Sequence, residues 1–357
     1  MALIRKRRLT EQQQRRIEKQ QHNRQQECNP DLDIEGLVVQ HYGRQLEVQV
    51  CSLPKSMSKR PETVTGEPDA FWREVVLGDI WRCHTRTNLA TLVTGDRVTW
   101  QADSNTGLGV ITALHPRRSL LSRPDRYHKL KPVAANVDLI LIVFAPTPEP
   151  SAGLLDRYLV ACNSANIDAL LVLNKADLLE ENASALDLLH HYQQLGYSTC
   201  LSQAMDNTST SYPIRTLTEA IANKTVVFVG QSGVGKSSLI NSIIPEAAQK
   251  TNIISENSAL GQHTTTSTRL IHLDNNDTAL IDSPGIREFG LWHLSAQDIY
   301  AGFPEFAPFY GQCQFRNCTH QHEKQCALRN AATQGQVSMR RLESMNRLLS
   351  EIAEEKS

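Results

Sequence analysis

Residues Gly230-Gln231-Ser232-Gly233-Val234-Gly235-Lys236-Ser237 match the spacing G-x-x-x-x-G-K-S/T. The chemistry this spacing supports is phosphate binding. Glycines let the backbone bend so that successive N–H groups, and the positive end of the next helix, cradle a polyphosphate. Lys236 is placed to reach the β- and γ-phosphates and the Ser237 hydroxyl to bind Mg²⁺, with Ser238 also among the nucleotide-binding residues. The motif needs a strand before it and a helix after it. TVVFV and SSLINSII supply both.

Asn174-Lys175-Ala176-Asp177 closes the apolar run IDALLVL. A carboxylate at Asp177 can accept two parallel hydrogen bonds from the ring N–H and exocyclic amine of guanine, a donor pair that adenine lacks. Asn174 would bond the acceptor edge of guanine or brace the loop, and Lys175 would lay its stem along the purine. Ser202, after YSTCL, is a further candidate for the guanine oxygen. Asp282-Ser283-Pro284-Gly285 comes after TALI, about 46 residues beyond Lys236. It gives D-x-x-G, with Asp282 holding magnesium through water and the Gly285 N–H sensing the γ-phosphate. Between the two lies Gly261-Gln-His-Thr-Thr-Thr266, where Thr265 is the first choice to complete the magnesium shell.

Asn174–Asp177 precedes the phosphate loop by about fifty residues, the reverse of simple Ras-like order. The same sheet can be built if the old termini are joined and the chain is opened elsewhere, a circular permutation. D-x-x-G then lies near the end of its domain, and the next segment of chain is attached directly to one that responds to the γ-phosphate.

That next segment carries Cys313-x4-Cys318-x-His320-x5-Cys326, four soft ligands within fourteen residues. Three thiolates and an imidazole suit tetrahedral zinc in a closed structural site, with no position left for substrate. His322 is an alternative ligand at a less natural spacing. Cys28, Cys51, Cys83, Cys162 and Cys200 are scattered and read as plain thiols, too sparse for a disulfide scaffold.

The elements that must position these residues fall into blocks. Residues 34–115 alternate short β-like runs with turn signals, including IEGLVVQHYG, RQLEVQVCS, DIWRCHTR, TLVTGDRVTWQ and GLGVITAL. This pattern predicts a small all-β barrel, and an OB-fold fits its size. Residues 54–69 form a polar insert, read as a long loop. From VDLILIVFA onward, buried strands alternate with helices, the pattern of a doubly wound α/β domain. A C-terminal helix should bury Val337, Leu342, Met345, Leu348, Leu349 and Ile352 on one face. The expected division is an arm over 1–33, a barrel over 34–118, an α/β domain over 119–292, and a zinc-binding helical domain over 293–357.

Composition bounds the rest. The 357 residues are 40% hydrophobic and 21% charged, ordinary for a folded multidomain protein. No apolar stretch approaches the roughly eighteen residues of a membrane span. The start, MALIRKRRLTEQQQRR, has no apolar core after its charges, so a cytoplasmic location without membrane contact is expected. Net charge is −1, yet residues 1–24 carry eight Lys/Arg against Glu11 and Glu18, which is +6 in the arm and −7 elsewhere. Such an arm is either a solvated tail or a neutraliser of nucleic-acid phosphates.

Together GQSGVGKSSL, NKAD, DSPG, the G-x-HTTT loop, GDRV at Gly95–Val98 and the C-x4-C-x-H-x5-C spacing resemble the ribosome small subunit-dependent GTPase A family, from about residue 34 to the C-terminus. The resemblance implies an N-terminal OB-fold, a circularly permuted GTPase domain and a C-terminal zinc domain. It implies GTP/GDP, Mg²⁺ and one structural Zn²⁺ as ligands. It also implies a monomeric late maturation factor that binds small-subunit ribosomal RNA in the GTP state, is stimulated by the subunit and leaves after hydrolysis.

Ile286 stands where Ras-like proteins carry a water-orienting glutamine, so intrinsic hydrolysis should be slow and another group must assist. In the family the histidine of the G-x-H-T-T-T loop, here His263, is the candidate. Three rival readings stay open: a non-catalytic RNA-binding assembly protein with GTP as a structural ligand, an ATP-driven enzyme, and a metal-dependent DNA-binding regulator.

Overall fold

The protein is represented by a computed structural model that describes residues 32–42, 45–54, 75–86, 89–103, 107–124, 130–180, 182–203, 214–243, 268–273, 278–282, 291 and 293–354. The basic arm, most of the 54–69 insert, His263, Thr265, Gly285 and Ile286 lie outside the described residues.

The chain divides into two compact units at Arg118/Ser119, with Ala134–Asn136 and residues 268–270, the start of β12 included, joining the first. Five strands form that unit: β1 (Ile34–Tyr42), β2 (Gln45–Ser52), β3 (Ile80–Thr85), β4 (Arg97–Asp103) and β5 (Leu108–Leu114). They run in the order β1-β2-β3-β5-β4, and β4 pairs back onto β1 to close a barrel. Alternation explains the closure. In β2, Leu46, Val48 and Val50 point inward while Gln45, Glu47 and Gln49 do not. They meet Trp81, Trp100 and Ile111 in a core where the two indoles lie 5.4 Å apart.

The GDRV turn receives a structural explanation here. Asp96 is fully buried, with its carboxylate gripped by Arg117 Nε and Nη2 at 2.7 and 2.8 Å and by the Val93 N–H at 2.7 Å. A buried carboxylate held bidentately in this way locks the turn into the barrel.

In the second unit, β6 (Leu120–Pro124) and β7 (Leu130–Ala135) pair as a separate ribbon. The α/β core then runs β8 (Leu139–Phe144), α1 (Ala152–Ser164), β9 (Asp168–Leu173), α2 (Ser184–Gln194), β10 (Ser198–Leu201), α3 (Ile214–Ile221), β11 (Thr225–Val229), α4 (Lys236–Ile243), β12 (Arg269–His272) and β13 (Ala279–Asp282). Strands β10, β9, β8, β11 and β13 lie side by side in that order, all parallel. Every residue of β8 is buried, as a strand covered on both faces requires. The sheet therefore winds outward from the β8/β11 pair in two directions. The carboxyl end of β11 sits at this switch point, where ligands of open α/β sheets bind.

Helices α5 (Ala296–Ala301), α6 (Ala327–Thr333) and α7 (Met339–Glu354) complete the unit, with a 3-10 turn at Pro304–Phe309. Ser295 caps α5 in a reciprocal box with Asp298. On α7, Leu342, Met345, Leu348 and Ile352 are buried and Leu349 half-buried, while Val337 is buried just ahead of the helix. Periodicity did not flag Arg341, which is also fully buried. Its guanidinium donates to Asp156 on α1, to Glu305 Oε1 at 2.6 Å and Oε2 at 3.2 Å, and to the Tyr197 hydroxyl at 3.2 Å. The Phe303 ring packs 4.3 Å from its centre. The C-terminal helices are thus pinned onto α1 within one compact unit.

Candidate functional site

Strand β11 delivers the chain into the glycine-rich loop and α4 carries it away. Gly230, Gly233 and Gly235 have φ of 139°, 84° and 88°, which side chains rarely tolerate. Space adds a second constraint. A Cβ on Gly230 would lie 2.0 Å from the Val143 carbonyl oxygen of β8, and one on Gly235 would lie 2.4 Å from Asn174 Nδ2. Gln231, Ser232 and Gly233 are exposed, whereas Val234 is buried and anchors the loop in the core. Lys236 Nζ donates to its own loop, to the carbonyls of Gly230 at 2.9 Å and Gln231 at 2.7 Å. Ser237 and Ser238 lie half-buried in the first turn of α4.

Asn174 closes β9, with its N–H donating to Phe144 O of β8 at 2.8 Å. Its side chain reaches sixty residues along the chain, and Nδ2 donates to Val234 O of the phosphate loop at 3.0 Å. This answers the open choice between reading the base and bracing the loop in favour of at least the brace. Lys175 adopts a left-handed conformation and donates from Nζ to Thr147 O at 2.9 Å. Asp177 is exposed on the short 3-10 turn Ala176–Leu178. Ser202 backs this turn, its carbonyl accepting from the Ala176 N–H at 3.2 Å and its own N–H donating to Leu173 O at 2.8 Å.

Two polar atoms in this cluster stand out. Asn174 Oδ1 and Ser202 Oγ are buried and have no hydrogen-bond partner. Buried unpaired polar atoms are costly, so they mark a place where a polar ligand is expected. On the other side of β11, β13 pairs in register with Thr225 beside Ala279 and Val226 beside Leu280. That register places the half-buried Asp282 at the strand end neighbouring the loop.

The Cys/His segment forms a second centre. The ligand atoms of Cys313, Cys318, His320 and Cys326 all lie within 4.8 Å of one another. His320 Nδ1 is 3.5, 3.6 and 3.3 Å from the sulfurs of Cys313, Cys318 and Cys326, and the Cys313 and Cys326 sulfurs are 3.8 Å apart. Tetrahedral zinc, with Zn–S about 2.3 Å and Zn–N about 2.0 Å, demands edges of roughly 3.8 Å between sulfurs and 3.5 Å between sulfur and nitrogen. The donor set and its spacing fit that ion. Burial lowers the His320 pKa and so favours the neutral imidazole that a metal needs. His322 is exposed and outside the cluster.

Residues 114–292 match the RsgA GTPase family. The chain is also 46% identical over 365 residues to the small ribosomal subunit biogenesis GTPase RsgA of Azotobacter vinelandii, covering 98% of each protein. It is 43% identical to that of Alcanivorax borkumensis, over 94% of this chain and 93% of the other. The chain belongs to the RsgA GTPase family. Among solved structures, YjeQ from Thermotoga maritima superposes with a TM-score of 0.66 at 26% identity, over 90% of this chain and 99% of that one. YloQ, described as a circularly permuted GTPase, gives 0.64 at 24% identity over 92% and 98%, and supports the fold.

Within this RsgA-family chain, several supporting residues carried no sequence signal. Pro146 and Thr147 offer backbone carbonyls to Asn182 Nδ2 at 3.2 Å and to Lys175. Backbone acceptors are blind to residue type, so no motif reports them. Glu323 closes the metal-bearing turn, accepting from the N–H and hydroxyl of Thr319 at 2.7 and 2.6 Å and from the N–H groups of Gln321 and His322. The Thr319 hydroxyl and backbone, foremost among these donors, hold its carboxyl far below the usual carboxylate range. A glutamate beside metal ligands was visible in the sequence, but its role depends on how the turn closes. The remaining described cysteines fit plain thiols: burial pushes Cys83 and Cys162 up to about 12.

Proposed function

We propose that the chain is a Mg²⁺-dependent GTPase acting in maturation of the small ribosomal subunit, with the nucleotide at the carboxyl ends of β8, β9, β10 and β11. The observation that carries this reading is the Asn174–Val234 hydrogen bond, which ties the base-reading loop to the phosphate loop. The unpartnered Asn174 Oδ1 and Ser202 Oγ support it.

Asp177 accepts the two guanine donors, while Asn174 and Ser202 serve the acceptor edge. Lys236 exchanges the carbonyls of Gly230 and Gln231 for β- and γ-phosphate oxygens, beside the N–H groups of Gly230–Ser238. Ser237, Thr265 and, through water, Asp282 are the residues to hold Mg²⁺, which when bound would neutralise charge developing on the phosphates. Gly285 reports the γ-phosphate. Ile286 cannot orient water, so His263 is the candidate to assist attack when the subunit is bound. Cys313, Cys318, His320 and Cys326 would hold one structural zinc. The barrel, read as an OB-fold, and the basic arm offer RNA contacts.

The test is multiple-turnover GTP hydrolysis with and without small subunits. Slow turnover that rises strongly on adding the subunit is expected. Bound GTP with no turnover in either condition would instead support the non-catalytic reading that Ile286 favours.

A further inference from the structure

Phe315 lies between the first two metal ligands and is 48% exposed. It is the sole exposed Phe, Tyr or Trp side chain among the described residues. In the same C-terminal module Phe303 and Phe306 are fully buried and Phe309 is half-buried. A single exposed apolar residue is ordinary on any surface. Three further observations make this one informative.

The first is rigidity. The Phe315 carbonyl accepts from the Cys318 N–H at 3.2 Å, and the Gln314 N–H donates to Gln325 O at 3.4 Å. The ring is therefore carried on a hydrogen-bonded turn beside the Cys/His cluster, not on a loose tip. The second is charge. Arg316 is its neighbour in sequence, and the exposed Lys324 adjoins Gln325, whose carbonyl accepts from the Gln314 N–H. The exposed Arg329 is tethered by its Nη1 to Glu323 O at 3.4 Å. The third is the state of the only acid in this stretch. Both Glu323 oxygens are taken up by Thr319, Gln321 and His322. Phe315, Arg316, Lys324 and Arg329 are thus all exposed on this one short segment, whose single acid is engaged by its own turn.

We propose that Phe315 is a stacking platform for an unpaired nucleobase, with Arg316, Lys324 and Arg329 neutralising the phosphates that flank it. The inference rests on the RNA-directed reading above and gives it a specific contact. An aromatic ring within a basic surface is the arrangement by which single-stranded nucleic acid is held without sequence preference. A protein partner with an apolar socket would need the ring's bulk but not its π-face, and that difference can be measured.

The experiment compares the full-length parent with Phe315→Ala, Phe315→Leu and Phe315→Trp. Each is assayed for zinc content, subunit-free GTP turnover, co-sedimentation with small subunits in a GTP analogue, and binding to a short mixed-sequence single-stranded RNA across a salt series. Zinc and subunit-free turnover should match the parent in all three. The Ala and Leu variants should lose roughly tenfold or more in affinity for both subunit and RNA, and Trp should retain it. The slope of log affinity against log salt should not change, since stacking releases no counterions. Parent-like affinity of the Ala variant overturns the proposal, and parent-like affinity of the Leu variant does so in favour of a protein socket. Loss of zinc in the Ala variant also overturns it, because Phe315 would then be part of the knuckle's frame. Failure of the parent itself to bind subunits is a separate outcome, one that removes the RNA-directed reading and this contact with it.

Discussion

Lys236 folds its ammonium onto Gly230 O and Gln231 O, so the cation is held against its own glycine-rich loop. Replacing Lys236 or Ser237 by alanine should reduce GTP turnover by about a hundredfold or more, as loss of a transition-state clamp does elsewhere. Steady-state phosphate release from folded variants checks this, and turnover at the parent rate would reject the phosphate-loop assignment. Asp177→Asn should exchange a two-acceptor carboxylate for a mixed donor–acceptor amide. Competition between GTP and XTP reads the change directly, because xanthine offers a carbonyl where guanine has its amine. The variant should shift toward XTP, and an unchanged preference would remove Asp177 from base recognition. These residues were legible because their chemistry is local and their spacing short. The brace from Asn174 to Val234 spans sixty positions, and only the adjacency of β8, β9 and β11 creates it.

Among the elements, β8 was plain in the sequence as VDLILIVFA, and the five barrel strands were readable as period-two runs between turn signals. The β6–β7 ribbon and the four-residue β12 were not, since short mixed runs carry no period. Arg341 was hidden for another reason: on an amphipathic helix a charged residue reads as solvent-facing, yet here two carboxylates and an aromatic ring enclose it. Arg341→Met should destabilise the second unit by about 3–5 kcal/mol, because Asp156 and Glu305 would be left without their cation. Denaturant unfolding measures it, and a change below about 1 kcal/mol would show that the cluster is replaceable. The Cys/His cluster makes a different prediction. Freshly purified protein should carry about one zinc per chain, and Cys318→Ser should lose it. Nucleotide binding should persist in that variant, since among the described residues none of the Cys/His cluster's side chains bonds to the Arg341 cluster or to the glycine-rich loop. Elemental analysis finding no zinc in protein never exposed to chelator would refute the site.

At the scale of the whole molecule, the circular permutation decides what can be coupled to GTP. Asp282–Gly285 leads within about thirty residues into the zinc segment. The C-terminal helices beyond it are pinned by Arg341 to α1. Helix α1 begins just after Pro146 and Thr147, whose carbonyls hold Asn182 and Lys175. The glycine-rich and Asn174–Asp177 loops and the Cys/His module are thus linked within the second unit through α1, and along the sequence through D-x-x-G. A γ-phosphate that engages D-x-x-G should alter how the C-terminal module is presented to RNA. Linkage then requires a subunit that prefers the GTP form to tighten GTP binding by the same factor. Subunit affinity measured with a non-hydrolysable GTP analogue and with GDP tests this most directly. The affinity should be several-fold or more tighter with the analogue, and equal affinities in the two nucleotides would contradict the account.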